Sequence, residues 1–142
     1  MPKCMKILLD TNIIIDCIAN REPDNENSMR LFKCCEDGFF EGFVTTQSLA
    51  DAFYSLRKDY PAWKRKELLY GVCLVLDIPA ITQHHAIAAL TDNKFPDFED
   101  GMIAKCAEEN ECDYIITRDT KDFAASRIPV VTPREFLDKM RV

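Results

Sequence analysis

Histidine is nearly absent from this chain: only two occur, His84 and His85, side by side. No C-x-x-C pair occurs either, although there are seven cysteines (Cys4, Cys17, Cys34, Cys35, Cys73, Cys106 and Cys112). A zinc site of ordinary Cys/His spacing is therefore not expected. The cysteine number is odd and most of the seven lie inside apolar periodic segments, so they read as reduced, packed thiols rather than a disulfide framework. No apolar run approaches the ~20 residues of a membrane span. There is no repeat, low-complexity tract or linker. The opening Met1-Pro2-Lys3-Cys4-Met5-Lys6 runs straight into a strand-like segment and leaves no room for a signal peptide. A cytoplasmic protein with no membrane association is expected. Positive charge is also scarce, with 18 Lys and Arg against 24 Asp and Glu, a net charge of −6. That balance argues against nucleic-acid binding by bulk electrostatics.

What is present is an ordinary globular composition, 47% hydrophobic and 30% charged over 142 residues. One domain spanning residues 1–142 is expected, large enough to bury roughly two thirds of its unfolded surface. The charge is unevenly spread. Residues 92–113 carry eight acids against Lys94 and Lys105, a local net of −6 that equals the whole imbalance. Residues 57–67 lean the other way, with Arg57, Lys58, Lys64, Arg65 and Lys66 against Asp59 and Glu67. Such a cluster is commonly just a solvated helix face; it is also the one stretch suited to a phosphate backbone.

Strand and helix signals alternate along the chain. Residues 5–10 read as a strand buried on both faces, and Thr11 to Ala19 as a helix capped by Thr11 or Asn12. Residues 26–37 form a helix stopped by Gly38, and 43–45 a short strand. A helix over 46–59 starts at Thr45 or Thr46, or at the capping-box spacing of Ser48 to Asp51. Pro61 suits the first turn of a helix to about Leu76. Residues 78–81 contain Pro79 and make a poor central strand, so an edge position or a very short strand is expected. Thr82 opens a helix to about Leu90, and Pro96 precedes one from Asp97 to about Asn110. Residues 113–117 and 130–131 are strands. Thr132, Pro133 and Glu135 supply the cap, first-turn proline and capping-box glutamate of a closing helix. Strands separated by helices imply a parallel sheet covered on both faces, a three-layer α/β/α sandwich.

Against this pattern the acids stand out. Asp10 follows Ile7-Leu8-Leu9, where a carboxylate at the mouth of a buried strand is costly without a partner; capping the next helix would also explain it. Asp100 shares a helix face with Ile103, Ala104 and Ala107, and Asp97, Glu99 and Asp100 exceed what capping of one helix start needs. Asp119 follows the strand ending in Thr117, a routine turn position that gains weight by lying at the same sheet end as Asp10 and Asp100. Asp51 is equally well explained as a helix-terminal acid. Ligand sites of open α/β sheets form outside the carboxyl ends of the strands, and acids gathered there repel unless a cation joins them. A divalent-metal enzyme acting on phosphate esters is the economical reading.

In order and spacing these segments resemble the PIN-domain ribonucleases. Leu8-Leu9-Asp10-Thr11-Asn12-Ile13-Ile14 is similar to their opening motif, and Asp97-Phe98-Glu99-Asp100 with Ala104 and Ala107 to their acidic helix. Ile115 to Phe123 is similar to their third motif, and Ile128 to Leu137 to their closing strand and helix. The resemblance runs from about residue 5 to 138 and is nearest in flavour to the VapC-like toxins of prokaryotic toxin–antitoxin pairs. It implies a PIN-like fold and Mg²⁺ or Mn²⁺ held by Asp10, Asp100 and Asp119. Asp51 stands where relatives commonly carry Glu, and Gly101 where Ala is usual. Asn12, Asp97 and Thr117 would orient the metal ligands. The implied activity is an endoribonuclease cutting single-stranded RNA, in which the metal lowers the pKa of the attacking water and offsets charge on the phosphate. A small antitoxin protein and a homodimer are the partners it implies.

Two rival readings remain at this stage. A phosphatase of the haloacid-dehalogenase kind needs a second Asp two residues after the first, where this chain has Asn12. A non-catalytic PIN-like protein would bind RNA or a partner without cutting.

Overall fold

The computed structural model describes residues 4–142. Four strands, β1 (Lys6–Leu9), β2 (Glu41–Phe43), β3 (Tyr114–Ile116) and β4 (Val130–Val131), form one sheet in the order β2-β1-β3-β4, with every pairing parallel. Around it lie α1 (Thr11–Ala19), α2 (Asn25–Glu36), α3 (Thr46–Ser55), α4 (Ala62–Val75), α5 (Gln83–Thr91), α6 (Phe98–Glu109) and α7 (Pro133–Met140).

The sheet is buried on both faces, as the unbroken apolar run of β1 requires. Ile7, Leu9, Val44, Ile116 and Val131 point into one core with residues of α1, α2, α3, α4 and α7. Leu8, Phe43 and Ile115 point into a second core with Ile103, Ala104, Cys106 and Ala107 of α6. Alternate residues of each strand therefore serve opposite layers, which gives the three-layer α/β/α sandwich. Ile103, Ala104 and Ala107 lie against the sheet, so the helix face inferred from sequence is the buried one.

Most boundaries follow the sequence signals. Thr45 accepts a hydrogen bond from the Ser48 amide (3.0 Å) and is the cap of α3, which selects among the three possible starts. The closing helix has its full capping box, Glu135 Oε1 accepting from the Thr132 amide at 3.0 Å and Thr132 Oγ1 from the Glu135 amide at 3.1 Å. The second strand begins earlier than the apolar run suggests, at Glu41 rather than residue 43, because pairing follows the register with Lys6. Residues 78–81 form no strand. Only Asp77 bridges to β2, exchanging backbone bonds with Gly42 and Val44 (2.9 and 3.0 Å) before Pro79 removes the next donor. All seven cysteines are unbridged. Among the described residues, no helix is long and apolar enough to cross a membrane.

Two glycines are fixed by close approach. A Cβ on Gly42 would stand 2.5 Å from Leu76 Cδ2 and 2.9 Å from Cys35 Sγ, both in the core. Gly42→Ala is expected to destabilise by about 1–3 kcal/mol through overpacking, seen as a lower midpoint in urea with an unchanged slope. At Gly101 α6 comes close to α5: an added Cβ would meet the Ala89 Cβ at 3.2 Å, so α5 would have to give by a few tenths of an ångström.

Candidate active site

Asp10 ends β1 and caps α1. Its amide donates to the Ile116 carbonyl (2.9 Å), which fixes the residue between β1 and β3. Its Oδ1 accepts from the Thr11 amide (2.8 Å), and its Oδ2 accepts from Thr117 Oγ1 (2.7 Å) and Asn12 Nδ2 (3.3 Å). Capping and site-building are therefore done by different oxygens of one side chain. Burial pushes the Asp10 carboxyl upward; the Thr117 hydroxyl and Thr11 amide pull it back, and the charges of Asp119 and Asp122 add to the rise.

Asn12 is the hub. Its Nδ2 also approaches Thr117 Oγ1 (3.2 Å) and Asp119 Oδ2 (3.3 Å), while its Oδ1 accepts from the Arg118 amide (3.3 Å). Thr117, fully buried, accepts in turn from the Asp119 amide (3.1 Å). One turn beyond Asn12, Asp16 forms a close ion pair with Arg118 Nε (2.6 Å). The loop after β3 is thus fastened to one face of α1 at two levels, residues 12 and 16, which is the i,i+4 spacing of a helix.

The N-terminus of α6 supplies the facing acids. Asp97 caps it, its Oδ1 accepting from the Asp100 amide (2.9 Å). Asp100 has its carboxyl pushed up to about 7 by burial and by the charges of Asp97, Asp10, Asp122 and Asp119. Glu99 is raised further, to about 8, first by burial and then by a hydrogen bond and charge shared with Asp51, with Asp10 and Asp97 contributing. Thr11 Oγ1 also points at Glu99 Oε1 from 3.5 Å and donates a closer bond to Ser48 (2.8 Å).

The folded chain therefore gathers Asp10, Asp51, Asp97, Asp100 and Asp119, all named from the sequence. It adds two acids that were not given a role there. Glu99 shares a hydrogen bond with Asp51 across the cleft. Asp122, in the 3₁₀ turn Thr120–Phe123, acts on both Asp10 and Asp100. The available signal for both was spacing: Asp97-x-Glu99-Asp100 and Asp119-x-x-Asp122.

The five basic residues of 57–67 lie on the turn after α3 and the first half of α4. Arg65 is engaged in the fold, donating to the carbonyls of Phe53 (2.8 Å) and Tyr60 (3.0 Å). Lys64 pairs with Glu67 (3.7 Å), and Arg57 lies 3.9 Å from the Tyr54 ring centroid. Lys58 and Lys66 are exposed.

Whether the acids suit a cation follows from their surroundings. Among the described residues, Asp10, Asp51, Glu99, Asp100, Asp119 and Asp122 form no ion pair with any Lys, Arg or His, although nine such pairs occur elsewhere. No three of the described acidic, His or Cys side chains already converge at ligating distance. Like charges in a partly dry cleft hold one another apart and bind protons instead. Hard oxygen donors, crowded and with no ion-pair partner, match the preference of Mg²⁺ or Mn²⁺.

Comparison with known proteins agrees with this architecture. The chain superposes on a toxin–antitoxin complex from Klebsiella pneumoniae with a TM-score of 0.68 at 23% identity, covering 89% of this chain and 97% of the other. FitAcB from Neisseria gonorrhoeae gives 0.67 at 22% identity, covering 90% and 98%. VapBC-1 from nontypeable Haemophilus influenzae gives 0.68 at 15% identity, covering 92% and 99%. No curated protein sequence matches closely enough to count. The sequence model of the PIN domain matches residues 6–121, from the first strand through the acids of α6 to the loop after β3. With fold, motif order and sequence model in agreement, this chain belongs to the PIN domain family.

Proposed function

We propose that this protein is a Mg²⁺- or Mn²⁺-dependent endoribonuclease and the toxin of a toxin–antitoxin pair. The observation that carries the proposal is the group of unpaired carboxylates at the carboxyl end of the sheet, three of them with raised pKa values. Asp10, Asp100 and Asp119 would hold the metal, with Asp51 and Glu99 closing the far side. When bound, the metal supplies an acidified water and offsets the charge that builds on the phosphate. Thr117 and the Thr11 amide fix both oxygens of Asp10, and Asn12 ties Asp10 to Asp119, so these carboxylates are held in place before substrate arrives.

Two surfaces support the partners. An apolar groove of about 600 Å³ between α1, α2 and α4, lined by Ile14, Cys17, Ile18, Phe32, Leu68 and Val72, suits an apolar segment of an antitoxin. The outer face of α5 exposes Ile87 and Leu90 close in sequence to exposed Phe98, apolar area that a homodimer would cover.

The test is incubation of the purified protein with single-stranded RNA in Mg²⁺, Mn²⁺ or EDTA. Cleavage in either metal and none in EDTA is expected. Folded protein that retains RNA in a mobility-shift gel, yet leaves it intact at every metal concentration, would replace this reading with the non-catalytic one.

A further inference from the structure

Two clefts open beside the carboxylates, and both carry cations the fold does not consume. On one side Lys94 and Lys121 line a cleft with Asp97, Asp100 and Asp122. On the other Arg118 and Arg134 line a cleft of about 480 Å³ with Asp119, Asn27 and Asp24. The 3₁₀ turn Thr120–Phe123 separates them, preceded by Asp119 and containing Asp122. Arg118 is held rigidly, by Asp16 at 2.6 Å and Asp24 at 3.8 Å. The side chains of Lys94, Lys121 and Arg134 are different. Among the described residues none of the three forms an ion pair, in a chain that carries six more acids than bases.

Bulk charge cannot draw a polyanion to this protein, so contacts to it have to be local. A metal at the acids deals with the phosphate being cut, but the next phosphates along the strand would still face a cluster of carboxylates. Cations flanking that cluster remove the conflict. Arg134 offers a planar fork that matches a phosphate, and the two lysines act as point charges. We propose that Arg134, with Arg118 behind it, binds the phosphate on one side of the cut bond, and Lys94 and Lys121 the phosphate on the other, in a single-stranded RNA. This rests on the nuclease reading of the same site.

The test uses a labelled single-stranded hexanucleotide and a dinucleotide with a single phosphodiester. Arg134→Gln, Lys121→Gln, Lys94→Gln and the triple variant are compared with the intact protein. Lys33→Gln is the control, because Lys33 lies in the last turn of α2, which leads into the amino end of β2 and so away from the carboxyl ends of the parallel strands. On the hexanucleotide the triple variant is expected to raise KM about 30-fold with kcat changed less than about 3-fold, the pattern of lost ground-state and transition-state binding together. On the dinucleotide, which has no flanking phosphates, kcat/KM is expected to change less than about 3-fold. Binding is measured separately by fluorescence anisotropy in an Asp100→Asn background. There the slope of log affinity against log salt should shrink by about 0.7 for each cation removed. A triple variant with KM and salt slope equal to the control overturns the proposal while leaving the nuclease reading intact. Salt-sensitive binding that the triple variant loses, in a protein that cuts nothing, upholds the flanking sites and overturns the nuclease. If the hexanucleotide does not bind and an acidic peptide does, with the same salt slope, these cations serve a protein partner and the proposal fails.

Discussion

Asp100→Asn is expected to lower metal-dependent RNA cleavage by about 10²–10³-fold, the usual cost of losing one electrostatic element of such a site. The same variant should be more stable than the parent when both are metal-free at pH 8. The sign follows from linkage. The Asp100 carboxyl sits at about 7 in the fold against an ordinary 3.8. The folded state therefore holds this proton more tightly than the unfolded chain does. Stability is lost as pH rises from near 4 to near 7, and the penalty is constant above that. Asn carries no charge and removes it. Because the group is partly open to solvent the gain is discounted to about 1 kcal/mol, or about 2–4 °C in melting temperature for a chain of this size. Below pH 4 the difference should vanish. A variant that is inactive and also less stable at pH 8 would make Asp100 a structural residue, and one that is fully active would remove it from the site.

The second large effect is the response of stability to metal and pH together. Metal-free protein should lose stability between pH 5 and 8 as Asp10, Asp100 and Glu99 give up protons under mutual repulsion, all three being raised in the fold. A divalent ion replaces those protons, so its stabilising effect must grow over the same window. With Mn²⁺ at about 100 times its dissociation constant the stabilisation is about 2.7 kcal/mol, a rise of about 5–10 °C at pH 8. At pH 5 it should be below about 2 °C. Equal stabilisation at both pH values, or the same rise from sodium chloride at matched ionic strength, would show that the effect is general screening.

Much of this was legible in the chain. The buried run Ile7-Leu8-Leu9 places Asp10 at a strand mouth, and the face shared by Ile103, Ala104 and Ala107 orients Asp100; both are periodicity arguments that tertiary packing had no reason to override. Thr132-Pro133-x-Glu135 carries its whole cap locally. What stayed hidden depends on which residues meet across space. Glu99 gains its role only because α3 presents Asp51 opposite it, and one sequence holds no sign of that pairing. Asp16 reads as an acid inside an apolar helix until the loop after β3 delivers Arg118 to it. Arg65 counts as a basic charge in sequence and is taken up by two carbonyls in the fold. Gly101 looks like a weakness in α6 until α5 is seen to press against it.

A calorimetric titration of Mn²⁺ into metal-free protein at pH 7.5, repeated with Asp100→Asn, bears most directly on the claim that these acids exist to hold a cation. Saturable binding to the intact protein, weakened at least about 10-fold by the substitution, is the expected result. No saturable binding, or equal binding by both proteins, would contradict it.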